Sequence, residues 1–188
     1  FEKHGVRNGT VIHNVVGLGV RPKGDYALRD GKARLVCVGR QQTMQKDPSV
    51  IIEALADLPD AELTLVGDGD LHDRLVALAA AKGLADRVRF VRAMPNAAVL
   101  RLIEASDVYV YSSVNHEISK STMEAALAGL PIIVDDRGGA PADELRQSPF
   151  VLVPRTVEGF QNAIRRVMTD GGWREKLGRA ARDYAVAR

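Results

Sequence analysis

Hydrophobic positions along the chain fall into two alternating patterns. Short runs of β-branched and aliphatic residues occur at 11–12, 35–38, 63–66, 88–91, 108–111, 132–134 and 150–153. Between most of them the apolar residues take helical spacing. Such sets are Val50, Ile51, Ala54, Leu55 and Leu58 behind Asp47-Pro48; Leu71, Leu75, Leu78 and Ala79; Val99, Leu100 and Ile103; and Met123, Ala126 and Leu127. Pro48 suits a first helical turn. Residues 157–168 and 173–184 read as two closing helices parted by Asp170-Gly171-Gly172.

The strand runs are continuously apolar, as a sheet covered on both faces requires. Strands alternating with helices build βαβ units and a parallel sheet. The predicted fold is therefore a doubly wound α/β domain with about six parallel strands. Ligands of such sheets bind beyond the carboxyl ends of the strands. Residues 1–32 differ: one strand signal, then Gly17, Gly19, Pro22, Gly24 and Gly31, the composition of a linker entering a domain at 33–188.

Composition narrows the function classes. Aromatic residues are 5%, too few for a base-stacking surface, and 26 Lys and Arg against 24 Asp and Glu leave a net charge of +2. Nucleic acid is thus not an expected partner. Cys37, the only cysteine, lies in Leu35-Val36-Cys37-Val38, where a thiol acts as a small buried hydrophobe. No stretch approaches the roughly 18 apolar residues of a membrane span. The chain opens at Phe1-Glu2-Lys3 with no secretory leader and is expected to be a piece of something longer.

Candidate chemistry sits just after the strands. Gly39 and Arg40 follow the 35–38 run, with Lys46 six residues beyond Arg40. A guanidinium fork and an ammonium on one strand-end loop would clamp a diphosphate; two solvated loop cations are the plainer reading. Gly67-Asp68-Gly69-Asp70 follows the next strand, where glycine lets a backbone approach closely or simply turns the chain. Residues 112–124 lead into a helix predicted over 121–128, whose start would bind an anion, with Ser119, Lys120, Ser121 and Thr122 around it. Glu124 stands three after Ser121, the spacing of a capping box.

Several familiar motifs fail. Position 72 is His72, so Gly67 and Gly69 do not begin a dinucleotide fingerprint. His116-Glu117 does not continue to a zinc motif because position 120 is Lys120. No Walker loop is present. Asp135-Asp136 reads more readily as a polar loop than as a divalent-ion site.

Taken in order, these pieces resemble the C-terminal lobe of retaining GT-B glycosyltransferases, group 1 type, over about residues 33–184. The resemblance rests on Val38-Gly39-Arg40, Lys46-Asp47-Pro48, Leu65-Val66-Gly67-Asp68-Gly69, Arg87-Val88-Arg89-Phe90, Ala105-Ser106-Asp107-Val108-Tyr109-Val110, Glu124-Ala125-Ala126-Leu127-Ala128-Gly129-Leu130-Pro131 and Gly138-Gly139. It implies a Rossmann-like lobe in which Arg40 and Lys46 bind the diphosphate and stabilise the departing nucleotide. Glu124 would hydrogen-bond the ribose, backbone around Phe90, Val91 and Arg92 would meet the base, and N–H groups near Ser119 to Thr122 the phosphates. The family carries a first glutamate eight residues before the second; here that position is His116, with Glu117 beside it.

The resemblance implies sugar transfer from a nucleotide-sugar, with no metal or other cofactor, to an acceptor held by an N-terminal lobe outside this chain. The expected location is cytoplasmic, with peripheral docking of the full-length form at the inner membrane face left open. This chain alone is expected to bind a nucleoside diphosphate weakly and transfer no sugar. A GT-B-like nucleotide-sugar epimerase and a non-catalytic α/β binding module stay open beside it.

Overall fold

The computed structural model describes residues 19–42, 46–113, 118–136 and 143–188. The predicted 11–12 strand, His116, Glu117 and Gly138-Gly139 lie outside them. Among the described residues six parallel strands form one sheet: β1 (Ala33–Val38), β2 (Ala61–Val66), β3 (Val88–Val91), β4 (Val108–Tyr111), β5 (Ile132–Asp135) and β6 (Val151–Val153). Their order is β3-β2-β1-β4-β5-β6, so the winding reverses between β1 and β4. The doubly wound, Rossmann-like α/β fold read from the sequence is present.

Among the described residues five α-helices connect the strands, α1 (Ser49–Ala54), α2 (His72–Ala81), α3 (Asn96–Glu104), α4 (Lys120–Leu127) and α5 (Asp143–Arg146), and two follow the last strand, α6 (Val157–Thr169) and α7 (Gly171–Val186). α1, α2 and α6 share one face of the sheet, α3, α4 and α7 the other. Both faces being covered, Leu35, Val36 and Cys37 of β1 and every residue of β4 are buried. Phe160, Ile164 and Val167 of α6 are fully enclosed, each worth about 1.5–3 kcal/mol of burial.

Several boundaries shift. Pro48 is the N-cap of α1 rather than its first residue, its carbonyl accepting from the Ile51 and Ile52 N–H groups. α1 also ends sooner than its apolar spacing implies, tightening into a 3-10 turn at Leu55–Asp57. Phe150 precedes β6 and packs edge-on against Tyr184 of α7, ring centroids 5.5 Å apart.

The amino edge of the sheet carries an ionic cluster. Asp107, just before β4, accepts from Arg34 Nε at 2.8 Å, Arg34 NH2 at 2.9 Å and the Arg34 N–H at 3.0 Å. Lys23 Nζ donates to it at 2.9 Å. Arg87 donates to the carbonyls of Leu55, Leu58 and Ala61, closing the α1–β2 corner. These two motif residues therefore face away from the ligand edge.

Residues 20–26 lie along the α3, α4, α7 side. The Lys23 N–H donates to the Ala128 carbonyl, and Tyr26 Oη to that of Gly129. Buried Arg174 of α7 donates to the carbonyls of Tyr26, Val167 and Met168, the last two in the final turn of α6, where a cation also suits the helix dipole. Gly178 makes this closeness feasible: a Cβ there would lie 2.3 Å from both the Gly129 carbonyl oxygen and Tyr26 Cε1.

Cys37 is buried as its run predicts, and burial pushes its thiol up to about 12. Near pH 8 almost no thiolate forms, and a thiol reagent is expected to label the folded chain negligibly. Full labelling should appear only across the urea unfolding transition; rapid labelling in buffer would contradict this packing.

Candidate functional site

The reversal of winding between β1 and β4 leaves a crevice at their carboxyl ends, the position where doubly wound sheets hold ligands. It is lined by Gly39, Arg40 and Lys46 after β1, Leu65 and Val66 of β2, and Tyr111 and Ser112 at the end of β4. Arg40 and Lys46 thus share one cleft. They do so because the backbone pairs Gln42 with Lys46, each N–H bonding the other's carbonyl at 3.0–3.1 Å, folding the loop back on itself.

The Gly67–Asp68–Gly69 loop supports that loop from the β2 side. The Gly39 N–H donates to Val66 and the Gln41 N–H to Asp68. A Cβ on Gly67 would lie 2.0 Å from the Gly39 carbonyl oxygen, and one on Gly69 2.1 Å from that of Gln41. The close approach these glycines allow is between two loops. Gln41 is 2% exposed, and its amide donates to the Gly67 carbonyl while its Oε1 meets His72 Nδ1 at 3.0 Å. With the amide so oriented, His72 carries its proton on Nδ1 and latches α2 to the cation loop.

α4 begins next to the end of β1, tied there by Ser121, although none of its residues lines the crevice itself. Its N-cap is Ser119, whose Oγ accepts from the Thr122 N–H at 3.2 Å. This corrects the expected Ser121–Glu124 capping box and moves the helix start from 121 to Lys120. Ser119, Ser121 and Thr122 are all cap-competent, and β1 and β4 decide among them: Ser121 Oγ donates to the Val38 carbonyl at 3.0 Å and meets Tyr109 Oη at 2.9 Å. Ser119 Oγ also lies 2.7 Å from Thr122 Oγ1. The hydroxyls expected to ring an anion bond one another and β1. What this end of α4 offers outward is its first-turn backbone and Lys120.

Glu124, freed from the cap, is 3% exposed. Its nearest cation is Lys120 Nζ, 3.6 Å from Oε1, and among the described residues its carboxylate accepts no hydrogen bond. Lys120 also reaches Asn96 at 3.5 Å, tying the starts of α3 and α4 together.

The expected base-facing backbone is only partly open. The Val91 carbonyl already accepts from the Gly67 N–H at 2.9 Å. β3 being the sheet edge, the outward groups belong to Phe90 and Arg92. The Arg92 side chain turns to Asp68, NH1 to Oδ2 at 2.6 Å, and that hydrogen bond holds the Asp68 carboxyl below its usual range. Asp135 faces inward: it is 1% exposed, accepts from Ser112 Oγ at 2.8 Å and lies 3.6 Å from Arg155 Nε. It braces β4 against β5 and β6. Among the described residues no group of three His, Cys, Asp or Glu is arranged to hold a metal, and no helix is long and apolar enough to cross a membrane.

Comparison with known proteins agrees with this architecture. The model of the family Glycosyl transferases group 1 matches residues 22–184. The glycogen synthase of Mycobacterium tuberculosis is 30% identical over 183 residues, covering 95% of this chain and 44% of the synthase. The chain thus spans less than half the length of that relative. A sucrose-phosphate synthase from Thermosynechococcus elongatus superposes with a TM-score of 0.76 at 26% identity, over 89% of this chain and 45% of the synthase. HepE of Anabaena, solved with UDP and glucose, gives 0.73 at 25% identity, over 84% of this chain and 44% of HepE. The fold is thereby that of GT-B glycosyltransferase domains, and the chain belongs to the group 1 glycosyl transferases.

Proposed function

We propose that this chain is the C-terminal, nucleotide-sugar-binding lobe of a retaining GT-B glycosyltransferase. The observation that carries the reading is Glu124: a carboxylate 3% exposed with no hydrogen bond among the described residues. Leaving such a group unsatisfied costs about 1–3 kcal/mol or more, so a site that keeps it is completed by donors from outside. The vicinal hydroxyls of a ribose are such donors.

The charged groups at this edge of the sheet match the remainder of a nucleoside diphosphate in chemistry. Arg40 and Lys46 supply fixed positive charge, and the start of α4 supplies backbone N–H groups and the positive end of its dipole. The base lies toward the outward backbone of Phe90 and Arg92. In transfer, charge builds on the departing diphosphate, and these groups stabilise it in place of a metal ion. His116 and Glu117, at the position of the first family glutamate, are assigned to the sugar. The acceptor is assigned to a preceding lobe, outside this chain.

Calorimetry of the 188-residue chain with UDP, GDP and ADP tests the reading. One of them is expected to bind. Arg40→Ala with Lys46→Ala is expected to remove detectable binding. Glu124→Gln should weaken it at least about tenfold while the ligand-free melting temperature holds or rises, since a neutral amide is cheaper to bury unpaired. A parent chain that binds none of the three refutes the assignment, and so does a Glu124→Gln variant of parental affinity.

A further inference from the structure

Four tyrosines occur in the chain, and three have a partner for the phenol hydroxyl. Tyr26 Oη donates to the Gly129 carbonyl, Tyr109 Oη to that of Val38 and Tyr184 Oη to that of Glu144. Tyr111 is the exception. It is 5% exposed, and among the described residues its hydroxyl makes no hydrogen bond. A buried phenol normally finds a partner.

The surroundings say what kind of partner is wanted. Tyr111 closes β4 at the switch point and lines the crevice beside Gly39, Arg40 and Lys46. Its ring lies against the Gly39 backbone, a Cβ there falling 3.3 Å from Tyr111 Cε2 and 3.9 Å from Oη. Lys46 Nζ stands 5.9 Å from the ring centroid, within cation–π range. The ring thus shapes where the ammonium sits, and Oη and the Lys46 stem both lie within 3.9 Å of a Cβ position on Gly39. A buried O–H donor beside Lys46, in a crevice that Arg40 also lines, has an anionic oxygen as its natural acceptor.

We propose that Tyr111 is a further diphosphate-binding residue: its Oη donates to the terminal phosphate of the nucleoside diphosphate, while its ring positions Lys46. This rests on the nucleotide-binding reading above. Gln41 and Ser112, polar neighbours at the same crevice, are spoken for: Gln41 bonds Gly67 and His72, and Ser112 bonds Asp135. Tyr111 alone of the three keeps a free donor.

Tyr111→Phe isolates the hydroxyl, keeping the ring and its contact with Lys46. Calorimetry would use whichever of UDP, GDP and ADP binds the parent best, with its monophosphate alongside. The variant should bind the diphosphate about tenfold more weakly, as for one hydrogen bond to a charged group. The monophosphate affinity should change less than about twofold and the ligand-free melting temperature should not fall. Parental diphosphate affinity in Tyr111→Phe overturns the proposal and leaves the nucleotide-binding reading intact. Equal losses for both nucleotides with a lowered melting temperature overturn it too, by giving the hydroxyl a structural role. A parent that binds none of the nucleotides ends both.

Discussion

Asp107→Ala is expected to lower the unfolding free energy by about 3 kcal/mol, because it strands Arg34 and Lys23 around a vacated position. Geometry sets this apart from an ordinary surface pair. The Asp107 side chain is 1% exposed against 12% for Lys23, and it binds both the side chain and the N–H of Arg34. Lys32–Glu62, with both side chains about half exposed, is the internal control: Glu62→Ala should move stability by less than about 1 kcal/mol. Urea denaturation would read both, and equal effects would contradict the ranking. pH adds a second test. Burial alone would raise the Asp107 carboxyl, but the Arg34 and Lys23 bonds outweigh it and leave it lowered. A carboxylate lowered in the folded state contributes stability that is complete above its unfolded value near 4 and lost as pH falls through the folded one. Asp107→Asn should therefore flatten the acid limb of the stability curve as well as lower its plateau.

Gly67→Ala should be nearly as damaging, and it should also abolish nucleotide binding. The new Cβ would lie 2.0 Å from the Gly39 carbonyl oxygen and 2.9 Å from its carbon, with φ at +141°. No flexible side chain is there to yield, so the Gly39–Arg40 backbone must move, at about 3 kcal/mol for strain and overpacking together. Gly83 separates the two parts of that penalty. It too has positive φ, +69°, but a Cβ would meet nothing within 4 Å. Gly83→Ala should cost only the roughly 1–2 kcal/mol of left-handed backbone and keep the parent's nucleotide affinity. If the two alanine variants lose affinity alike, loop contact is not what shapes the cleft.

Particular residues show how far the sequence could be read. Parallel strands covered on both faces leave unbroken apolar runs, so β1 to β6 stand out, β4 most plainly. The same apolar reading conceals Tyr111, whose ring counts as core while the residue lines the crevice. Nothing in local spacing marks Gln41, because only the folded chain brings it to Gly67 and His72. The choice of cap among Ser119, Ser121 and Thr122 turned on the Val38 carbonyl, a tertiary partner that local spacing does not encode. α5 was missed because four residues carry too little periodicity. Asp107 and Arg87 precede their strands, which places them on the amino edge, where they brace the fold.

The meeting of Gly129 and Gly178 has a mechanical side. α4 begins next to the end of β1, and its far end abuts α7 through that glycine pair and the Tyr26 ring. Side chains at a helix contact act as springs, because rotamers can yield; here backbone meets backbone and that compliance is missing. A methyl group at Gly178 would therefore have to lever α7 away from the end of α4.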